Sequence, residues 1–421
     1  MRGSGVEWIG EIPISWDTTK LKYFCKINSG SFISNNDYDD EGEYPVIGGN
    51  GINGYCNKAN IENCIVIGRV GALCGNIHLI DKESWVTDNA LTVMVSEDSI
   101  NNKYLYYILK AYDLNRVANR SAQPLITGTQ VGNIEIPIID QYTQQQIINF
   151  LDKKCSEIDS VIKAKETTNK KLKEYRQSII FEAVTKGLDK NVPMKDSGIE
   201  WIGKIPNSWE VKKSRYIFEY NSGLTITRGE LLDEGVPCIN YGEIHSKYGF
   251  DLDLTRDSLK YADIKFLNYK QNSIVRNGDF IFCDTSEDIE GSGNCVYVSN
   301  SNNQDIFAGS HTIVARPIGN INSRYLAYLF STNAWRAQIR NSVYGVKVFS
   351  ITQSILKSTK IIIPPTTEQQ MISDYLDKRC SNIDSVILAN EKTIVKLKEY
   401  RQSVIYEAVT GKTEIVNHIK S

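Results

Sequence analysis

The stretch LDKKCSEIDSVIKAKETTNKKLKEYRQSIIFEAVT, Leu151–Thr185, decides the architecture because the chain repeats it. Leu376–Thr410 reads LDKRCSNIDSVILANEKTIVKLKEYRQSVIYEAVT, 225 positions later. Leu151, Ile158, Lys165, Leu172 and Ile179 fall seven apart, and Leu376, Ile383, Asn390, Leu397 and Val404 are their equivalents. Such a heptad row belongs to a long helix packed on another helix. Cys155, Val161, Ile162, Tyr175 and Val184 widen the stripe. The middle residue is polar in both rows, Lys165 and Asn390, and a polar residue in an apolar seam fixes register. The reading is two helices paired antiparallel about a pseudo-dyad, with these two residues meeting at the crossing. The alternative is that each helix packs separately on its own domain.

Each helix follows a proline-limited strand, Ile134–Ile139 or Lys360–Pro365. Thr143 with Gln146, and Thr367 with Gln370, have capping-box spacing, and Gly187 and Gly411 stand where C-terminal caps belong. A helix of more than 40 residues would be roughly 60 Å long.

A second repeat lies further out. Ser4–Trp16 reads SGVEWIGEIPISW and Ser197–Trp209 reads SGIEWIGKIPNSW, 193 apart. Repeated frames around diverged sequence predict two domains that fold alike but differ in task. Four blocks follow: a variable domain at 1–140, a helix at 141–190, a second variable domain at 191–365, and a second helix with a tail at 366–421. The two offsets differ by 32, so the second variable domain is that much longer. Symmetry places Ser4–Trp16 beside the end of the second helix. The variable domains read as short strands followed by an amphipathic helix, Lys103–Tyr112 or Arg324–Asn333. The expected class is α+β: two pseudo-symmetric mixed α/β domains separated by two long helices that form an antiparallel coiled coil.

At 421 residues the chain exceeds a single core. Net charge is −2, distributed unevenly. Residues 1–140 hold 11 Lys and Arg against 17 Asp and Glu, whereas 141–190 hold 10 against 7. A nucleic-acid role would therefore rest on local patches or on a basic partner. No apolar run is long enough for a bilayer, and MRGSGVEW lacks a secretory pattern, so no membrane association and a cytoplasmic location are expected. Nine cysteines without CxxC, and four scattered histidines, predict buried reduced thiols and no metal site.

Catalytic motifs are not apparent. Gly49–Gly54 fits GxGxxG, but no helix follows, which makes it a turn. Gly411-Lys412-Thr413 resembles the end of a P-loop, but Tyr406 occupies the required glycine position. Neither a nuclease motif nor an amino-methyltransferase motif is present, so no chemistry is expected of this chain.

The candidate binding residues are mostly basic. Arg116 and Arg120 follow the late helix of the first domain, and Arg336 and Arg340 follow its equivalent. Spacing of i, i+4 puts each pair on one helical face. Such faces suit phosphates or guanine edges, or else form surface ion pairs. Arg69 lies between Gly68 and Gly71 after a strand. Lys58, Gln123 and Lys347 occupy neighbouring loops, and Thr285, Ser286 and His311 are polar loop residues of the second domain.

These blocks resemble the specificity subunit of type I restriction–modification systems. The carrying residues are both SG(V/I)EWIG blocks, IPPTTEQQMISDYLDKRCSNID, KLKEYRQSVIYEAVTGK, and YPVIGGNGINGY followed by IVIGRVG. Thr143-Gln144-Gln145-Gln146 departs from the Glu-Gln-Gln pattern. The resemblance implies a non-catalytic subunit whose two target-recognition domains each read half of a split, asymmetric double-stranded DNA site. It implies that the helices set the gap and dock two methyltransferase subunits, which use S-adenosylmethionine to methylate adenine N6. A restriction subunit using ATP and Mg can join, and this chain itself would bind no cofactor. The competing readings are a protein-binding scaffold and an inactive specificity variant.

Overall fold

The computed structural model describes all residues except 72–73, 97–99, 115–123, 201, 346–347 and 414–421. The chain divides into two compact units, Met1–Thr167 with Ala389–Ser421, and Thr168–Leu388. Each contains one variable region and parts of both long helices, Gln141–Lys186 and Thr366–Val409.

The first unit is built on a four-stranded antiparallel sheet in the order Cys25–Ser29, Ala90–Val95, Cys64–Gly68, Ile77–Ile80. The strand Cys64–Gly68 is apolar throughout because both of its faces are covered. Ile65 and Ile67 join the core with Tyr104, Leu105 and Ile108 of the helix Asn102–Tyr112. Cys64 and Val66 point the other way, onto Ile47 and Val86 of a smaller three-stranded sheet. The main core is completed by Ile147, Ile148 and Leu151 of the first long helix and by Val404, Ile405 and Ala408 of the second.

The second unit repeats the plan with a five-stranded sheet, ordered Phe218–Ser222, Thr312–Pro317, Phe280–Cys283, Cys295–Asn300, Asp251–Asp253. Phe280 and Phe282 meet the core that contains Ile180, Val184, Ile372 and Leu376, while Ile281 and Cys283 face a separate cluster. Part of its extra length lies in added elements, including the helix Tyr241–Ser246 and the strand Asp251–Asp253.

Within each unit the helices pair antiparallel. In the first, Ile158 and Ile162 pack with Ile394 and Leu397, Asp159 pairs with Arg401, and Lys165 Nζ donates to Asn390 Oδ1 at 3.1 Å. In the second, Arg176 pairs with Asp384 at 3.1 Å, the repeat equivalent of Arg401 with Asp159. The seam runs in 3–4 spacing through Cys155, Ile162, Asn169, Arg176 and Ala183 beside the heptad row, and Asn169 is buried. Val161 and Tyr175 do not widen it, because at 45% and 47% exposure they lie off this face.

Three expected boundaries shift. The first long helix starts at Gln141, and Asp140 caps it by accepting from Thr143 N at 2.9 Å and Thr143 Oγ1 at 2.7 Å. Thr143 therefore lies inside the first turn, and the second long helix starts at Thr366. The helix expected over Arg324–Asn333 ends at Phe330, and Thr332 caps a separate helix, Asn333–Arg340. In the Gly49–Gly54 stretch, Gly49 and Asn50 turn a hairpin between the strands Tyr44–Gly48 and Gly51–Cys56, with Gly51 at φ +96°.

The N-terminal repeat lies against the end of the second long helix. Tyr406 Oη and Lys412 Nζ donate to Ile9 O at 3.0 and 2.9 Å. Gly411 has φ +71°, and an added Cβ would lie 2.5 Å from Pro13 Cδ. Gly411→Ala is expected to destabilise the first unit by more than about 1 kcal/mol, since strain and clash combine. Denaturant unfolding followed by tryptophan fluorescence checks this.

Candidate nucleic-acid interface

Polar loops gather where the central strands of each unit end. In the first unit, Asn28-Ser29-Gly30 closes an edge strand against the turn Thr87-Asp88-Asn89. Gly30 is required there, because a Cβ would meet Thr87 O at 2.3 Å. Arg69 follows the strand Cys64–Gly68, and its Nη1 donates to Ser29 Oγ at 2.9 Å. Its Nε is buried with no hydrogen-bond partner among the described residues. Asp88 and Asn89 are exposed.

In the second unit, Asn221-Ser222-Gly223 closes against Gly309-Ser310-His311, and a Cβ on Gly223 would meet Gly309 O at 2.2 Å. A cleft of about 580 Å³ opens here, lined by Ser222, Thr225, Asp284, Thr285, His311 and Gln353 among others. Thr285 Oγ1 donates to Asp284 Oδ1 at 2.8 Å, and His311 Nδ1 lies 3.3 Å from the same oxygen. His311 is exposed, has φ +57°, and packs edge-on against Tyr241 at 5.3 Å. Ser286 is buried, and its hydroxyl donates to Asp288 O at 2.7 Å, so it is held inside the loop.

The arginines of the helix Asn333–Arg340 do share one face, and that face grips the loop leading from Thr285. Arg336 donates to Phe330 O at 3.0 Å and to Asn294 Oδ1 at 2.8 Å. Asn294 Nδ2 lies 2.9 Å from His245 Nδ1, and His245 Nε2 lies 3.1 Å from Thr285 O. With the amide donating to Nδ1, the ring is the Nε2–H tautomer and donates to that carbonyl. A relay thus runs from Arg336 to the backbone of Thr285. Burial lowers the pKa of Arg336 below the usual guanidinium range. Arg340 Nη2 donates to Glu290 O at 2.6 Å, and its Nη1 pairs with Glu290 Oε2 at 3.1 Å. Both arginines position the loop in this structure.

Lys58 is exposed in a cleft of about 360 Å³ that also carries Asp37 and Asp39, a poor setting for phosphate. Arg116, Arg120, Gln123 and Lys347 lie outside the described residues. The Asn-Ser-Gly turns escape a motif reading of the sequence, although both copies keep the 193-residue offset of the SG(V/I)EWIG blocks. Among the described residues, no His, Cys, Asp or Glu cluster could hold a metal, and no helix is long and apolar enough to cross a membrane.

The family model described as the type I restriction modification DNA specificity domain matches this chain twice, at residues 13–183 and 206–397. The chain belongs to this family of DNA specificity domains. The type I specificity subunit MjaVIII of Methanocaldococcus jannaschii is 23% identical over 96% of this chain and 95% of its own length. The EcoprrI specificity subunit of Escherichia coli is 36% identical over 32% of this chain and 34% of its own. A solved chain from work on complex assembly and conformational transition of the type I R-M system shares the fold, with a TM-score of 0.69 at 14% identity. That match covers 96% of this chain and all of the solved one.

For this specificity-family chain, Arg336→Ala is expected to lower stability by roughly 1.5–3 kcal/mol, the range for a lost hydrogen bond to a charged group. Arg340→Ala should cost less than about 1 kcal/mol, because the Glu290 carboxylate is largely exposed. Urea unfolding of the two variants checks the order.

Proposed function

We propose that this chain gives a type I restriction–modification complex its DNA address. Each recognition domain reads one half of an asymmetric bipartite site, and the two long helices set the gap and dock two methyltransferase subunits. The observation that carries this reading is the double family match, one in each variable region with its adjoining helix. The methyltransferase partners would bring S-adenosylmethionine and methylate adenine at N6. A restriction subunit, where one joins, would bring ATP and Mg. The complex would work in the cytoplasm, where its DNA is.

The charge of the chain supports a shared grip on DNA. With 48 Lys and Arg against 50 Asp and Glu, the chain has no net positive charge to attract phosphate, so partner subunits would supply most of the phosphate contacts. The paired helices support a ruler. The contact of Lys165 with Asn390 defines an antiparallel register in which 166–172 oppose 383–389. Deleting both heptads preserves that register and shortens each helix by about 10 Å, or about three base pairs of B-DNA.

Methylome sequencing of a host carrying the chain with its methyltransferase tests the reading. A split, asymmetric N6-methyladenine motif is expected, and the double deletion should shorten its gap by about three base pairs with both half-sites unchanged. A motif whose gap is unaffected by the deletion would refute the ruler. No motif at all with a competent methyltransferase would favour an inactive variant or a protein-binding scaffold.

A further inference from the structure

Four matched backbone hydrogen bonds align the two variable regions residue by residue. Gly30 N donates to Ala90 O at 3.0 Å, and Gly223 N to Thr312 O at 3.0 Å. Ser31 N donates to Val86 O at 2.9 Å, and Leu224 N to Ala308 O at 2.7 Å. Arg69 N donates to Asn89 O at 3.1 Å, and Asp284 N to His311 O at 3.0 Å. Ile126 N donates to Arg69 O at 2.9 Å, and Ile351 N to Asp284 O at 2.8 Å. The strand register agrees, since Ser29 opposes Leu91 and Ser222 opposes Ile313. Three positions are therefore equivalent: Ser29 with Ser222, Asn89 with His311, and Arg69 with Asp284.

The hydrogen-bond pattern is shared, and the side chains at the Arg69 and Asp284 position reverse in charge. We propose that this position reads a base in each half-site: a guanine through Arg69, and a base with a major-groove amino group, cytosine or adenine, through Asp284. The inference rests on the specificity-subunit reading and names residues within it.

Chemistry separates the two roles. A guanidinium has only donors, and guanine offers the paired acceptors O6 and N7. The Arg69 side chain is steadied by Ser29, which lowers the cost of ordering it on DNA. A carboxylate has only acceptors, which suits the N4 amine of cytosine or the N6 amine of adenine. Asp284 is steadied by Thr285 and His311 at the wall of an open cleft. A phosphate grip at the same position is disfavoured, because Asp284 would repel phosphate while an equivalent backbone frame carries it. His311 has a left-handed backbone that Asn89 at the equivalent position lacks, a conformation histidine adopts more readily than most residues.

Methylome sequencing of the assembled methyltransferase complex, comparing the wild-type chain with Arg69→Ala, Arg69→Lys, Asp284→Ala and Asp284→Asn, tests this. Each alanine variant should relax one position of one half-site, with discrimination there falling on the order of 10- to 100-fold. The other half-site should be unchanged, which also shows that the complex has assembled. Should an alanine variant lose both half-sites through misfolding, the isosteric Asp284→Asn should still shift preference at its position, and the charge-conserving Arg69→Lys should keep guanine at its position with weaker discrimination. A first half-site without guanine overturns the proposal. So does a variant set that keeps the wild-type motif, or one that weakens all sites equally as a lost phosphate contact would. Absence of any split motif from the wild-type complex would instead defeat the underlying specificity reading.

Discussion

The closing of each core by two helix segments far apart in sequence is the constraint on which the rest of this structure depends. Leu151 and Ala408 lie in the core of the first unit, and Val184 and Leu376 in that of the second. Neither core is complete with its own variable region alone. Burying a leucine-sized side chain contributes about 2 kcal/mol, so the segments from both helices form a substantial part of each unit's stability. Their ends are tied by matching side chains: Asp152 accepts from Lys103 and Tyr107, and its equivalent Asp377 from Arg324 and Tyr328.

On that frame the two variable regions keep matched backbone hydrogen bonds at their strand ends and change the chemistry of the side chains there. The strand ends meet at Asn-Ser-Gly turns in which a side chain on the glycine would collide with the opposing backbone. That close approach permits little change, whereas the residues beside it differ freely. Family membership, antiparallel helices and a duplicated polar rim together describe a reader whose letters can change while its frame does not.

Much of this is legible in the sequence. The heptad rows reveal the helices and their pairing, because a mostly apolar period of seven sustained over four repeats arises where helix packs along helix. Asp140 is hidden as a cap because Thr143 and Gln146 imitate the spacing of a box three residues later, and both Asp and Thr satisfy the chemistry. Val161 and Tyr175 have the apolar character of seam residues but not the phase; they lie outside the 3–4 spacing and are exposed. The spacing of Arg336 and Arg340 correctly puts them on one face, but spacing cannot tell whether a face turns outward or onto a loop of its own domain. That depends on Asn294, His245 and Glu290, residues distant in sequence.

The interleaving of the helices also bears on the order in which the protein is made. The second unit, Thr168–Leu388, is one continuous piece of chain and has all its residues once Leu388 is synthesised. The first unit begins at Met1 yet takes Val404, Ile405, Ala408 and Val409 into its core. Domains usually complete in the order of synthesis, N-terminal first. Here the first unit must wait for Val404–Val409, which are made only after the second unit has all its residues, so its core lacks that segment while the second is translated.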